Sequence, residues 1–298
     1  PKSYEELIKR CWSQEPQERP TFDEIITNLE NNTEFLTESI NSTEYYEYIK
    51  YIKESPISFN SEKRIKQIED YISSRRHNYP KYVVDVNLKR IYDTEENNIY
   101  FNYKPMSLQK FEKQEKINQG SYYKVRKLLE KETNKVYAGR ISISLIKESK
   151  TEEINDFSRE VRISSKLNHP TIMKYVGFSP YDFKNLTRPV IITKFAPNGS
   201  LFQILKSERE GHKIDGWNDT RKLISLYGIA IGMEYIHSQD IIHGDLKPSN
   251  ILFNEFFFPL ISDFNLSRDL INDLFPGSMK CAPYLYSPPE TLENNVKY

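Results

Sequence analysis

His243-Gly244-Asp245-Leu246-Lys247-Pro248-Ser249-Asn250, followed further along by Asp263-Phe264-Asn265, decides how this 298-residue chain reads. The first stretch sets a carboxylate, a lysine and an amide on one short loop, and the second adds another carboxylate. Phosphoryl transfer from a metal-bound nucleotide needs such a set: a base that orients a hydroxyl, a cation beside the moving phosphoryl group, and two oxygen ligands for a metal. Each residue alone would pass as an ordinary polar loop residue. Together, at this spacing, they point to chemistry.

The pattern upstream agrees with that reading. From about Leu108 the chain alternates apolar runs with turn residues. Phe111 to Gln119, Tyr122 to Leu129 and Lys135 to Ile143 read as three antiparallel strands, with Glu130 to Asn134 as a hairpin loop. Thr151 can cap a helix whose first turn carries Glu152 and Glu153 and whose inner stripe is Ile154, Phe157 and Val161. That helix should stop near Asn168-His169-Pro170. A small sheet, one helix and then mostly helices is the expected order.

These motifs resemble the eukaryotic protein kinase superfamily, and within it the tyrosine-kinase-like group of serine/threonine kinases, over residues 108–298. The resemblance implies an α+β, two-lobed fold with a small antiparallel sheet and one helix in the N-lobe and a mainly helical C-lobe. It implies ATP and Mg2+ as cofactors and a protein as substrate. Asp245 would be the catalytic base and Lys247 would neutralise the transferring phosphoryl group. Asn250 and Asp263 would hold the metal, which prefers oxygen ligands. Val125 and Ala138 would lie above the adenine and Leu252 below it. Thr193 would precede the hinge Lys194-Phe195-Ala196. Glu160, on the capped helix, would pair with the cation at position 140. His243 and Phe264 are read as packing residues. Tyr286-Ser287-Pro288-Pro289-Glu290 resembles the end of the activation segment, and with few residues beyond it the C-lobe is expected to be incomplete.

The chain departs from the family pattern at four places. In Ile117-Asn118-Gln119-Gly120-Ser121-Tyr122-Tyr123-Lys124-Val125, the phosphate-covering loop, only Gly120 and Val125 remain of the usual glycines and valine. Tyr123 fills one missing glycine position and should loosen or obstruct the phosphate cradle. Arg140 stands where the family has lysine; it keeps the charge and can pair with Glu160 bidentately, but its planar fork meets phosphate differently. Lys124 is a poor substitute, because strand parity turns it to the opposite face from Tyr123. Gly244 replaces the arginine that meets a phosphorylated activation loop, so no switch of that kind is expected. Asn265 replaces a glycine whose backbone reaches unusual dihedrals, a mild defect because asparagine tolerates them. Two readings stay open: a serine/threonine kinase of weak or altered activity, and a pseudokinase serving as a regulatory or scaffolding module.

Outside that region, residues 1–36 contain Arg10-Cys11-Trp12 and Arg19-Pro20-Thr21-Phe22 between apolar residues at helical spacing. They resemble the last two helices of a kinase C-lobe, where Arg19 matches the buried arginine that pairs with the glutamate of the A-P-E motif. Residues 37–107, rich in Asn, Glu, Lys, Ile and Tyr, read as a partly helical connector. Tyr45, Ile49 and Ile52 recur at helical spacing there, as do Ile65, Ile68 and Ile72, while the Arg75-Arg76 pair is ordinary surface charge. The expected arrangement is therefore two kinase domains in tandem in one longer polypeptide.

Composition narrows the classes. Forty-two basic and 42 acidic residues give a formal net charge of zero, which argues against a nucleic-acid or membrane-surface protein. No apolar run approaches the ~20 residues of a spanning helix. Cys11 and Cys281 form no metal or redox spacing, and cytosolic thiols are the simplest reading, so a cytoplasmic location is expected.

Overall fold

A computed structural model describes residues 2–55, 105–120, 122–145, 151–270 and 284–291. The Ile65, Ile68 and Ile72 stripe, the Arg75-Arg76 pair and Cys281 lie outside the described residues. The chain begins with three helices, α1 (Lys2–Cys11), α2 (Phe22–Asn31) and α3 (Ser42–Glu54). Strands β1 (Phe111–Gln119), β2 (Tyr123–Glu130) and β3 (Val136–Ser142) follow. Helix α4 (Thr151–Lys166) precedes β4 (Tyr175–Ser179) and β5 (Val190–Lys194). Helices α5 (Leu201–Arg209) and α6 (Asp219–Ser238) come next. Four short strands close the order: β6 (Ile241–Ile242), β7 (Ile251–Phe253), β8 (Pro259–Ile261) and β9 (Arg268–Asp269).

The five longer strands form one antiparallel sheet in the order β1-β2-β3-β5-β4. Strand parity gives it two different faces. Tyr123, Val125, Ala138, Arg140 and Thr193 are register partners or lie two residues apart, so they share one face; Lys124 pairs with Ile141 on the other. The hairpin at Glu130–Asn134 turns at Asn134, whose φ of 55° is left-handed, a conformation asparagine tolerates. Helix α4 seals one side of the sheet through buried Phe157 and Val161 against Phe178 and Ile191. The side chains of Thr151, Glu152 and Ile154 lie outside the described residues.

Helix α6 organises the second lobe. Leu223, Ile224, Tyr227, Ala230, Met233, Tyr235 and Ile236 are all buried on it, and apolar residues on two faces need cover on both. One face joins Ile163, Ile172, Ile204, Phe253, Ile261 and Phe264. The opposite face is covered by the N-terminal helices: Ile26, Leu29, Phe35, Tyr45, Tyr48 and Ile52 pack on Leu223, Ile224, Tyr227 and Ala230. Polar bonds fix the fit. Tyr45 donates to the Leu29 carbonyl at 2.9 Å, Tyr227 donates to Glu30 at 2.7 Å, and the Asn41 amide reaches Thr220 Oγ1 at 2.8 Å. At Gly228 a Cβ would stand 2.5 Å from the Tyr48 hydroxyl, so only glycine lets α3 lie this close.

This packing corrects the domain reading. Residues 1–36 do not stand apart as the end of a separate, preceding unit; they pack into the lobe built by residues 108–298. Arg19 donates from Nη1 and Nη2 to the two carboxylate oxygens of Glu290 at 2.7 and 2.8 Å, and from Nε to the Ser13 carbonyl at 2.9 Å. Nor is α3 a connector, since Tyr45, Tyr48, Ile49 and Ile52 are buried in the same core. The physical reason is the uncovered face of α6, which the tyrosine-rich stripe of α3 fills.

His169, only 6% exposed, stacks on Tyr235 with ring centroids 4.9 Å apart. Its Nδ1 accepts the Thr171 amide at 3.2 Å, so the proton sits on Nε2, which has no partner. Among the described residues no helix is long and apolar enough to cross a membrane.

Two expectations follow for stability. Tyr45→Ala should destabilise the whole lobe by about 3–5 kcal/mol, because a large buried ring is lost; urea unfolding monitored in the lobe would show it, whereas an independently folded N-terminal segment would leave that transition unmoved. Burial pushes the His169 pKa down to about 4 from 6.5. Between those values the unfolded chain binds a proton that the native chain refuses, so stability is lost as pH falls from about 6.5 towards 4. The drop in urea midpoint between pH 7 and pH 5 should be smaller in His169→Gln than in the parent.

Candidate active site

The loop after β6 is held by a buried histidine. His243 Nδ1 accepts the Asp245 amide at 3.2 Å and Nε2 donates to the Ser262 carbonyl at 3.1 Å, while Ser267 Oγ donates to the His243 carbonyl at 2.7 Å. Burial lowers the His243 pKa, partly opposed by the Ser262 carbonyl. The ring therefore stays neutral, with a tautomer fixed by these bonds. It packs on Phe264 at 5.1 Å. Histidine and phenylalanine position the loop and carry no chemistry of their own.

Asp245 lies 4% exposed at the base of this loop. Lys247 Nζ stands 2.8 and 2.6 Å from its two carboxylate oxygens. Asn250 Nδ2 donates to Asp245 Oδ2 at 2.9 Å and to its carbonyl at 2.8 Å. The carboxylate is thus buried but compensated, and its direction is set by two donors. The β7–β8 pairing, with Ile251 opposite Ile261, brings the residues just before β7 and just after β8 to the same edge. Those residues are Asn250 and Ser262, and Asp263 follows directly. The Asn250 carbonyl accepts Ser262 N and Ser262 Oγ, each at 2.9 Å, which ties the two segments together.

Asp263 has a φ of 67°, a left-handed conformation that costs a non-glycine residue and recurs at functional sites. Asn265 is not among the positive-φ residues. The expectation that Asn265 strains the backbone is therefore corrected: the left-handed dihedral lies at Asp263, two residues upstream. What Asn265 does bring is a buried Oδ1 with no hydrogen-bond partner.

Above the loop, the cleft-facing side of the sheet carries Val125, Ala138 and Thr193, the last directly opposite Ala138. Leu252 sits on β7, which is fastened to the segment after the hinge: Phe253 N bonds the Gly199 carbonyl at 2.9 Å, and Ser200 bridges to Leu252. Gly120 N donates to the Tyr123 carbonyl at 2.9 Å, closing the tip of the β1–β2 loop. No atom crowds a Cβ at Gly120 closer than 4.0 Å, so the fold itself does not demand glycine there.

Arg140 behaves differently from expectation. Its fork does not take Glu160 bidentately; Nη2 bonds Glu160, while Nη1 turns to Asp263 Oδ1 at 3.4 Å. Burial opposes its charge, but Glu160 and Asp263 outweigh that and hold the guanidinium firmly protonated. Two carboxylates on different elements attract a planar fork more than one does. The ring of Tyr123 lies over the same guanidinium, 4.0 Å from Cζ to centroid.

Two features escaped the sequence reading. On α4, Arg162 and Lys166 stand 2.7 and 2.6 Å from Asp269 of β9, a carboxylate only 1% exposed; Arg159 adds a bond to the Ser267 carbonyl at 3.1 Å. The helical spacing of these three cations was the available signal. Gly244, noted only for the arginine it replaces, has a φ of 77°, and a Cβ there would meet the Leu266 carbonyl at 2.7 Å. The turn excludes side chains.

A two-lobed fold with a compensated aspartate, an amide and a second aspartate on adjoining loops is the architecture of a phosphotransferase of the protein kinase type. The protein kinase domain family matches residues 111–298, more than half of the chain, and the chain belongs to it. It is similar to an Aurora kinase of Debaryomyces hansenii, 34% identical over 144 residues that cover 47% of this chain and 32% of that protein. It is also 30% identical to the serine/threonine-protein kinase CTR1 of Arabidopsis thaliana, over 47% of this chain and 16% of that protein. A Dictyostelium discoideum RGS domain-containing serine/threonine-protein kinase A is 37% identical over 38% of this chain and 9% of its own length. The matched part is thus a third or less of each relative. Residues 1–54 lie outside the family match although α2 and α3 pack into the same lobe.

Restoring the arginine at position 244 should fail. Gly244→Arg, like Gly244→Ala, should destabilise by about 1–3 kcal/mol, because both need a left-handed residue against the Leu266 carbonyl. Thermal melts compare them with the parent; an unchanged melting temperature would show that the turn relaxes freely.

Proposed function

We propose that the chain is a serine/threonine protein kinase of the tyrosine-kinase-like group that transfers the γ-phosphate of ATP to protein hydroxyls at a reduced rate. The observation that carries this is the bonding of Asp245 to both Lys247 and Asn250, beside the edge where Asp263 emerges. Asp245 would accept a hydrogen bond from the substrate hydroxyl and orient it at the γ-phosphorus. As the new P–O bond forms and the bond to the β-phosphate bridging oxygen breaks, ADP leaves and Asp245 takes the hydroxyl proton. Lys247, already beside that carboxylate, would offset the charge of the transferring group. Asn250 Oδ1 and the Asp263 carboxylate suit magnesium, which takes hard oxygen donors and keeps sites for water and phosphate. Bound there, the metal would shield phosphate charge. Val125, Ala138 and Leu252 would enclose the adenine, with Thr193 at the mouth of the hinge. Gly120 would sit at the tip of the phosphate-covering loop, and Glu160 would anchor Arg140.

The second reading, a pseudokinase that regulates or scaffolds, draws on one observation: Arg140 engages Asp263, which Asp263 must give up to serve a metal. ADP release by the full chain from Mg-ATP and a serine/threonine peptide library separates the two. Asp245→Asn should lower turnover by about 10²–10⁴-fold, the usual contribution of a positioned acid–base group. Arg140→Lys should raise turnover by about tenfold or more, since an ammonium that pairs with Glu160 contacts phosphate as a point charge. Turnover at background in the parent and in both variants would leave the pseudokinase reading standing.

A further inference from the structure

We propose that Tyr123 decides which part of a nucleotide the cleft accepts: its ring shuts the phosphate end, so the chain holds adenosine well relative to ATP. This rests on the reading of the cleft as a nucleotide site. Two adjacent tyrosines follow the β1–β2 turn, and they part company. Tyr122 is 76% exposed. Tyr123 turns inward on the face shared by Val125, Ala138 and Arg140, and its ring rests 4.0 Å from the Arg140 guanidinium carbon. Behind that ring Arg140 reaches Glu160 on one side and Asp263 Oδ1, at 3.4 Å, on the other. Ring, guanidinium and both carboxylates form one continuous stack from the loop tip to the residue proposed to bind metal.

A triphosphate tail would need that same path. For it to reach Asp263, Arg140 must release the carboxylate and the ring must swing out. The turn resists opening, because the Gly120 amide is bonded to the Tyr123 carbonyl at 2.9 Å. Burial also raises the phenol pKa, although Arg140 opposes the shift, so a neutral ring faces the cation in a cation–π contact. The adenine end is free of this obstruction. Val125, Ala138 and Thr193 lie further along the same face, and adenosine carries no group that must pass Tyr123.

The test is the ratio of ATP to adenosine affinity, measured by calorimetry on the full chain with magnesium present. Tyr123→Gly and Tyr123→Ala should tighten Mg-ATP by about tenfold, the upper range of a partly desolvated cation–π contact, and leave adenosine within about twofold. Tyr123→Phe keeps the ring and should behave as the parent; Tyr122→Ala, at the exposed neighbour, should too. Because each variant is judged by a ratio of two ligands, loss of fold cannot mimic the result. Adenosine binding with an unchanged ratio in Tyr123→Gly and Tyr123→Ala overturns the role of Tyr123 and leaves the nucleotide site intact. Binding of neither ligand by any variant overturns both.

Discussion

Helix α6 buries apolar residues on two faces, and the rest of the lobe follows from the need to cover both. Its two faces hold two separate cores, one made by the short strands and α4, the other by α2 and α3. Burial of this kind is worth about 25 cal/mol per Å² of apolar surface, so neither face can stay in water cheaply. The loop carrying Asp245 emerges directly beyond the C-terminal end of α6, through β6, and inherits its rigidity from both cores. On the proposed kinase reading the loop needs such support, because misplacement by an ångström costs orders of magnitude in rate.

The site divides its charges unevenly. On the C-lobe side, the buried Asp245 has its donors in Lys247 and Asn250. On the N-lobe side, one cation serves two carboxylates and an aromatic ring together. A lysine could not do this, because its compact ammonium lacks both the fork and the flat face. The substitution at position 140 and the tyrosine at 123 are thus best understood as a pair: the ring would have nothing planar to stack on without the guanidinium.

Much of this was legible in the sequence. The alternation in 111–142 gave three strands within a residue or two, because a sheet with two different faces writes a period of two. That Asp245, Lys247 and Asn250 come together on one loop, with Asp263 close by, was readable from their spacing, since a short loop and a tight β7–β8 pair leave little freedom. The stripe of Tyr45, Ile49 and Ile52 revealed a helix but not its address, because α6, buried on two faces, offers no single stripe to match against. Arg19 and Glu290 were each recognised, yet assigned to different domains; pairing across 271 positions is invisible to any local rule. The direction of the Arg140 fork was unreadable because it depends on the left-handed backbone of Asp263. Gly244 was read for what it lacked, and the Leu266 carbonyl that requires it is a tertiary fact.

The docking of α3 on α6 also has a consequence in time. Ribosomes deliver the chain from its N-terminus at ~5–20 residues per second. The aromatic face of Tyr45 and Tyr48 therefore emerges on the order of ten seconds before its partner, Tyr227, exists to receive it. During that interval an amphipathic helix with three tyrosines in four positions, Tyr45, Tyr46 and Tyr48, lacks the α6 surface that covers it in the finished lobe. A chain built in this order depends on whatever shields nascent apolar surface in its cell, and its yield on rapid synthesis should be set by that wait rather than by the stability of the finished lobe.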